Sequence, residues 1–227
     1  MTATALEIPF GTDRLAAELV RPPEPIALLV LAHGAGAGYR HASLVAIGDA
    51  LGARGIATLR WNFPYMQAGR RRVDSRATAV AAVRAAAELA ASLAPELPLY
   101  LGGHSFGGRM ASHAVADGAV IPRGLVCLSF PLHPAGRPGT ARADHLDAIR
   151  VPMLFLSGTR DALAERALLT GVVARLGARA RLHWLDDADH GYRVRKRERR
   201  DPRGVFDEIA DETEAFVRHG ESGGSGT

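Results

Sequence analysis

A serine, an aspartate and a histidine stand along this chain where their side chains could work as a set. Ser105 is the centre of Gly103-His104-Ser105-Phe106-Gly107, a G-x-S-x-G. It follows the apolar run Leu97–Leu101 and precedes an alanine-rich, helix-compatible stretch ending at Ala116. A serine on a sharp turn between strand and helix presents its hydroxyl outward. The positions two before and two after it sit against neighbouring backbone and admit only very small side chains. The hydroxyl is a poor nucleophile at neutral pH and needs a base, which in turn needs an acid to orient it. Asp161 follows the run Val151–Ser157 through Gly158-Thr159-Arg160, and His190 follows Arg181–Leu185 in a loop containing Asp186, Asp187 and Asp189. Serine, aspartate and histidine in that order, each after a strand, suit attack on a carbonyl carbon and acyl transfer to water.

Each residue also has a plainer reading. The five-residue serine pattern alone is weak evidence in a chain with 25 glycines, and Ser105 could simply end a strand. Asp161 could cap a helix beginning at Ala162. His190 could be an ordinary loop histidine. The joint order of the three favours the chemical reading. Asp186, Asp187 and Asp189 are too close in sequence to His190 to reach round its ring, and without a second ligand cluster they do not suggest a metal site. Acyl transfer also needs donors for an oxyanion. The residue after the nucleophile, Phe106, supplies one N–H, and the glycine loop His33–Gly38 supplies the other, with Ala35 the expected donor. A nucleotide-binding reading of that loop lacks the third glycine spacing, a phosphate-binding lysine and an acidic end to the next strand, where Arg60 stands instead.

The elements that must position these groups are legible as alternating apolar runs and helical stretches. A strand pair, Ala5–Pro9 and Leu15–Val20, turns at Gly11-Thr12-Asp13. Strands follow at Ile26–Ala32, Ile56–Arg60, Leu97–Leu101, Gly124–Phe130, Val151–Ser157 and Arg181–Leu185. Helices are predicted at His41–Arg54, Asp74–Leu93, Gly107–Ala116, Asp144–Ile149, Ala162–Leu176 and Arg203–Arg218. This alternation implies parallel crossovers and a three-layer α/β sandwich, its sheet mostly parallel with helices on both faces. The connection from Phe130 to Val151, about 20 residues long, is too short for a lid domain.

With 227 residues, 47% of them hydrophobic, the chain can bury one substantial core. The start MTATALEIPF lacks the basic and apolar segments of a signal peptide, and Ile26–Ala32, the longest apolar run, cannot cross a membrane. The lone cysteine, Cys127, excludes an internal disulfide and suits a reducing cytoplasm; its apolar run predicts a buried, inert thiol. The net charge of +4 is carried almost wholly by arginine, Lys196 being the single lysine. With abundant alanine and glycine, this reads as amino-acid bias rather than as a sign of a polyanionic partner.

The strings LAHGAGAG, LRWNFPYMQAGRRR, LGGHSFGGRMASH, LVCLSFPLHPAGRP, IRVPMLFLSGTRD and DADHGYRVRKR resemble the KANSL/testis-expressed-type α/β-hydrolases, small proteins related to dienelactone hydrolase. The resemblance runs from about Ile26 to Arg218. It implies a lidless α/β-hydrolase domain over residues 1–220, with Ser105, Asp161 and His190 as triad. It departs at His104, where a lysine often precedes the serine. Ser105 itself differs from the cysteine nucleophile of true dienelactone hydrolases. Haloalkane dehalogenases and epoxide hydrolases need aspartate at that position, which disfavours their reactions here. The family also includes a chromatin-complex subunit acting as a scaffold, so a non-catalytic interaction role is the rival expectation.

Three further features are weighed. Tyr65, in Trp61-Asn62-Phe63-Pro64-Tyr65, and His133, in Leu132-His133-Pro134, are candidate substrate contacts beside the site. The basic run from Arg193 to Arg203 is either a solvated loop or a rim for anionic substrates such as acyl-CoA, and Arg70-Arg71-Arg72 could extend it. The expected substrate is a small or medium acyl ester or thioester, with no metal, cofactor, nucleic acid or membrane required. The Gly/Ser-rich tail from Glu221 to Thr227 is predicted to be disordered.

Overall fold

The computed structural model describes residues 1–195 and 198–222. These residues build an eight-stranded sheet from β1 (Thr2–Phe10), β2 (Asp13–Arg21), β3 (Ala27–Ala32), β4 (Ile56–Trp61), β5 (Leu99–His104), β6 (Gly124–Leu128), β7 (Met153–Gly158) and β8 (Ala180–Leu185). Their order across the sheet is β1-β2-β4-β3-β5-β6-β7-β8. β1, β2 and β4 pair antiparallel, and from β4 to β8 every pairing is parallel. The first hairpin closes through a two-residue turn with Gly11 at φ 58°, a conformation glycine adopts without a Cβ penalty.

Strands β3, β4, β6 and β7 are buried along their whole length. That is why they read as continuous apolar runs rather than as alternation. Their side chains still divide by face with period two. Leu28, Val30, Leu125, Cys127, Met153 and Phe155 join one core. Leu29, Leu31, Val126, Leu128, Leu154 and Leu156 join the other.

The first core is covered by α3 (Arg76–Leu93), α4 (Phe106–Ala116), α5 (Arg166–Leu176) and a 3-10 segment, Ala141–Ala148. The second is covered by α1 (Ala42–Gly52) and α6 (Val205–Ser222). α3 shows why alanine dominates these helices. Ala79, Ala82, Val83, Ala86, Ala87 and Ala90 recur at helical spacing and lie flat on the sheet, while the Ser75 hydroxyl caps the first turn by accepting the Thr78 N–H at 3.2 Å.

Some element bounds differ from the sequence expectation. β5 extends beyond Leu101 to His104, because Gly102 and Gly103 continue the strand rather than break it. A short helix, α2 (Pro64–Gln67), stands between the strand expected to end at Arg60 and the helix expected from Asp74. α5 starts at Arg166 rather than Ala162. Between β6 and β7 only loop and the 3-10 segment intervene, so no large lid domain covers the sheet edge above Ser105. Of the expected disordered tail, Glu221 and Ser222 close α6, and the remainder lies outside the described residues.

Candidate active site

Ser105 stands between β5 and α4 with φ 53° and ψ −116°, a backbone conformation that costs a non-glycine residue energy and persists only where its surroundings enforce it. Here the Ser105 N–H donates to the Leu128 carbonyl (2.8 Å), and its own carbonyl accepts from Arg109 N–H (3.0 Å). The flanking glycines are required by close approach. A Cβ on Gly103 would lie 2.5 Å from the Ala32 carbonyl oxygen, and one on Gly107 would lie 2.6 Å from it. The glycine loop after β3 is thereby pressed against the turn.

His190 reaches Ser105 from the loop after β8. Its Nε2 lies 2.8 Å from Ser105 Oγ, and its Nδ1 lies 2.9 Å from both carboxylate oxygens of Asp161. A carboxylate only accepts, so Nδ1 carries the proton and Nε2 presents its lone pair to the serine hydroxyl. The Asp161 side chain is fully buried, and that of His190 is a quarter exposed. Asp161 Oδ1 also accepts the Leu163 N–H at 2.8 Å. The aspartate therefore shapes the turn before α5, while the helix itself begins later. The other acids of the histidine loop are engaged elsewhere. Asp187 takes the Arg195 guanidinium, Asp189 Oδ1 accepts Gly191 N–H and Arg193 N–H, and Asp186 accepts Arg200 N–H.

Phe106 is the first residue of α4, where backbone N–H groups have no partner within the helix. Its ring packs on Phe63 at 5.1 Å between centroids and on Tyr65 at 6.1 Å. Ala35 lies on the wall of a cavity of about 1090 Å³ that also includes Ser105 and His190. Leu44 and Ile47 of α1 and Phe206 of α6 give its lining apolar surface, and Arg160 and Arg193 also line it.

Two residues expected to touch substrate do other work. Tyr65 has no exposed surface. Its Oη donates to the Ala35 carbonyl at 2.8 Å, bracing the glycine loop after β3, and burial pushes its pKa up to about 12. His133 is also buried. Its Nδ1–H donates to the Pro134 carbonyl (2.9 Å) and its Nε2 accepts the Glu165 N–H (3.1 Å), tying the loop after β6 to the one that carries Asp161. Neither lines the cavity, because each ring is used up between two loops.

Two histidines matter more than their sequence context announced. His33 is fully buried, its Nδ1–H donating to Gly34 O (2.8 Å) and its Nε2 accepting Phe63 N–H (3.0 Å). It joins the loops after β3 and β4, and burial drives its pKa down to about 4, so the ring is neutral. His104 donates from Nε2–H to the His190 carbonyl at 2.8 Å, and burial lowers its pKa to about 4 as well. Its ring also excludes a side chain at position 34, since a Cβ on Gly34 would lie 2.9 Å from His104 Nδ1. Histidine before the serine thus links both loops that meet at Ser105. The sequence signal is His104 itself, which stands out in the chain only as a departure from the lysine that often precedes the serine.

The basic run is mostly consumed by pairing. Arg195 binds Asp187 and Glu198, Arg199 binds Glu208, and Arg203 binds Asp201 and Asp211. Lys196 and Arg197 lie outside the described residues. Among the described residues, no group of three His, Cys, Asp or Glu side chains could hold a metal ion.

A profile of the alpha/beta hydrolase domain family matches residues 25–218. The chain belongs to this family. Solved hydrolase structures share the fold across nearly the whole chain. Dienelactone hydrolase from Anabaena variabilis superposes with a TM-score of 0.76 at 19% identity, covering 96% of this chain and 97% of that one. Est1E from Butyrivibrio proteoclasticus gives 0.75 at 18%, covering 96% and 99%. XC6422 from Xanthomonas campestris, described as an α/β serine hydrolase without a lid, gives 0.70 at 20%, covering 99% and 96%. At such identities the likeness establishes the hydrolase fold.

Proposed function

We propose that this protein is a serine hydrolase that cleaves a carboxylic ester or thioester of a small or medium acyl substrate. The observation that carries the reading is the unbroken chain from Asp161 through His190 to Ser105 Oγ, with contacts of 2.8–2.9 Å on the wall of an open cavity. In this mechanism His190 Nε2 takes the Ser105 proton as Oγ attacks the carbonyl carbon. Asp161 holds the imidazolium. The N–H groups of Phe106 and Ala35 receive the developing oxyanion, each donor lowering the barrier by about 3 kcal/mol. His190 then returns the proton to the leaving alcohol or thiol, the acyl group stays on Ser105, and a water deprotonated by His190 releases the acid.

Leu44, Ile47 and Phe206 suit the apolar part of the substrate, and Arg160 and Arg193 in the lining suit an anionic part such as that of an acyl-CoA. Within the family, the strings around Ser105 and His190 support placement in the KANSL/testis-expressed-type branch. A cytoplasmic setting suits the buried thiol of Cys127. Among the described residues no helix is long and apolar enough to cross a membrane.

An active-site-directed fluorophosphonate should label the protein on Ser105, and a panel of esters and thioesters should be turned over by wild type and not by Ser105→Ala. Absence of labelling from pH 6 to 9 would leave the scaffold role instead. The arginine part of the proposal has its own check. Turnover of an acyl-CoA should weaken with salt more than that of a neutral ester of the same acyl chain. Equal salt dependence removes that part of the proposal.

A further inference from the structure

His190 has to reach Ser105 from β8, the sheet edge beyond β6 and β7, and it does so on a strained loop. Asp187 (φ 53°) and Tyr192 (φ 64°) both hold the left-handed backbone conformation. For a tyrosine this is unfavourable and persists only where contacts enforce it. Asp187 is held by the Arg195 N–H (2.7 Å) and guanidinium, and its own N–H donates to Thr159 Oγ1 (2.9 Å). Tyr192 is held by its N–H on the Asp189 carbonyl (3.0 Å) and its Oη on the Leu156 carbonyl (3.2 Å). The base stands between these two anchors, and among the described residues no backbone–backbone hydrogen bond reaches His190.

His104 supplies the missing hold. It is the last residue of β5, and its Nε2–H donates to the His190 carbonyl at 2.8 Å. Its ring centroid lies 5.3 Å from that of His190 and 5.6 Å from that of Tyr192, which it meets edge-on. Its Nδ1 edge rests against Gly34, where a Cβ would lie 2.9 Å away. Ser105 and His190 are thus joined twice. One link is direct, Ser105 Oγ to His190 Nε2 at 2.8 Å, and the other runs through His104, the serine's chain neighbour, to the His190 backbone. Two links fix the direction of the imidazole as well as its distance. The charge of the second link also matters. Burial keeps His104 neutral, with a pKa lowered to about 4, so it donates without placing a second positive charge beside the imidazolium that His190 becomes during turnover.

On the serine hydrolase reading given above, on which this rests, we infer that His104 is a positioning residue: by holding the His190 carbonyl it keeps the imidazole aligned between Asp161 and Ser105 Oγ. His104 acts through His190, and what it contributes is a neutral N–H donor. Without that donor the strained loop is free to relax, and the base moves away from the serine hydroxyl while the fold stays intact.

Three variants separate the donor from the ring. His104→Leu removes the N–H, His104→Met removes it at the length of glutamine, and His104→Gln restores a neutral N–H. Melting temperature is recorded for each, with kcat and KM on an ester that the wild type turns over and the rate of fluorophosphonate labelling. His104→Leu and His104→Met should lower kcat and labelling about 10–100-fold with KM little changed, since misplacing a reacting group by about 1 Å can cost that much. His104→Gln should recover most of the loss. Where His104→Leu fails to fold, methionine against glutamine carries the comparison. Proton NMR reads the same alignment without turnover. The low-field Nδ1–H resonance of His190, held by Asp161, should be sharp in the wild type and His104→Gln and broadened by exchange in the other two. Folded leucine and methionine variants with wild-type kcat overturn the role, as does a loss confined to KM. A folded His104→Gln that falls as far as His104→Leu overturns it too. A wild type that is never labelled defeats the hydrolase reading and the role of His104 with it, whereas a labelled wild type with unchanged variants defeats the role alone.

Discussion

Asp161 is asked to do two things with one carboxylate, and the two can be separated. Its Oδ1 accepts both the Leu163 N–H and the His190 Nδ1–H. In Asp161→Asn the amide keeps an acceptor for Leu163, so folding should be nearly unchanged. It no longer supplies the charge that stabilises an imidazolium, and turnover should fall about 10³–10⁴-fold. A melting temperature that dropped along with activity would assign Asp161 to the turn rather than to catalysis. Ser105→Ala should remove probe labelling and lower kcat by at least about 10³-fold, with the protein as stable as before or more so, since alanine loses only the hydroxyl. At this scale the three candidates were legible because residue type and position after a strand both carried information. The braces were not. Tyr65, His33 and His133 do their work through hydrogen bonds to partners 30 or more residues away, and no local pattern announces those pairings.

The elements hold the site by pressing β3, β5 and α4 together closer than side chains allow. Gly103→Ala would drive a methyl group onto the Ala32 carbonyl, forcing β3 and the glycine loop after it to move. The expected cost is about 1–3 kcal/mol, readable as a lower urea midpoint, together with reduced activity. Tyr65→Phe probes the same loop more gently. Removing the hydroxyl leaves the Ala35 carbonyl without its 2.8 Å donor, so stability should fall by about 1 kcal/mol and kcat roughly 3–10-fold, with KM little changed. A rise in KM alone would instead place Tyr65 in substrate binding. Glycines misled the reading of β5 for a physical reason. Gly102 and Gly103 look like strand breakers, but they are needed within the strand because neighbouring backbone lies where a Cβ would go.

Across the whole molecule, buried neutral histidines predict how stability follows pH. His33, His104 and His113 have pKa values held down to about 4, and His145 to about 3, in each case first by burial. An unfolded histidine titrates near 6.5. Between the two values the unfolded chain binds more protons, so this contribution to stability is fully present above about pH 6.5. It is lost as pH falls towards 4, by up to about 1.4 kcal/mol per pH unit for each such histidine. Urea midpoints at pH 7.5 and 5 check this, and equal midpoints would contradict it. The sequence by itself determined the layered α/β architecture, because strands buried on both faces must be continuously apolar and the helices between them must fit flat against the sheet. It also determined the order of the candidate triad, since parallel crossovers return every strand end to the same edge. Only the tertiary structure decided which arginines remain available. Arg199 and Arg203 are taken up by the carboxylates of α6, which lie next to them only once α6 packs on the sheet. Charge pairing depends on distances of a few ångströms between side chains, and those are set only when the layers pack.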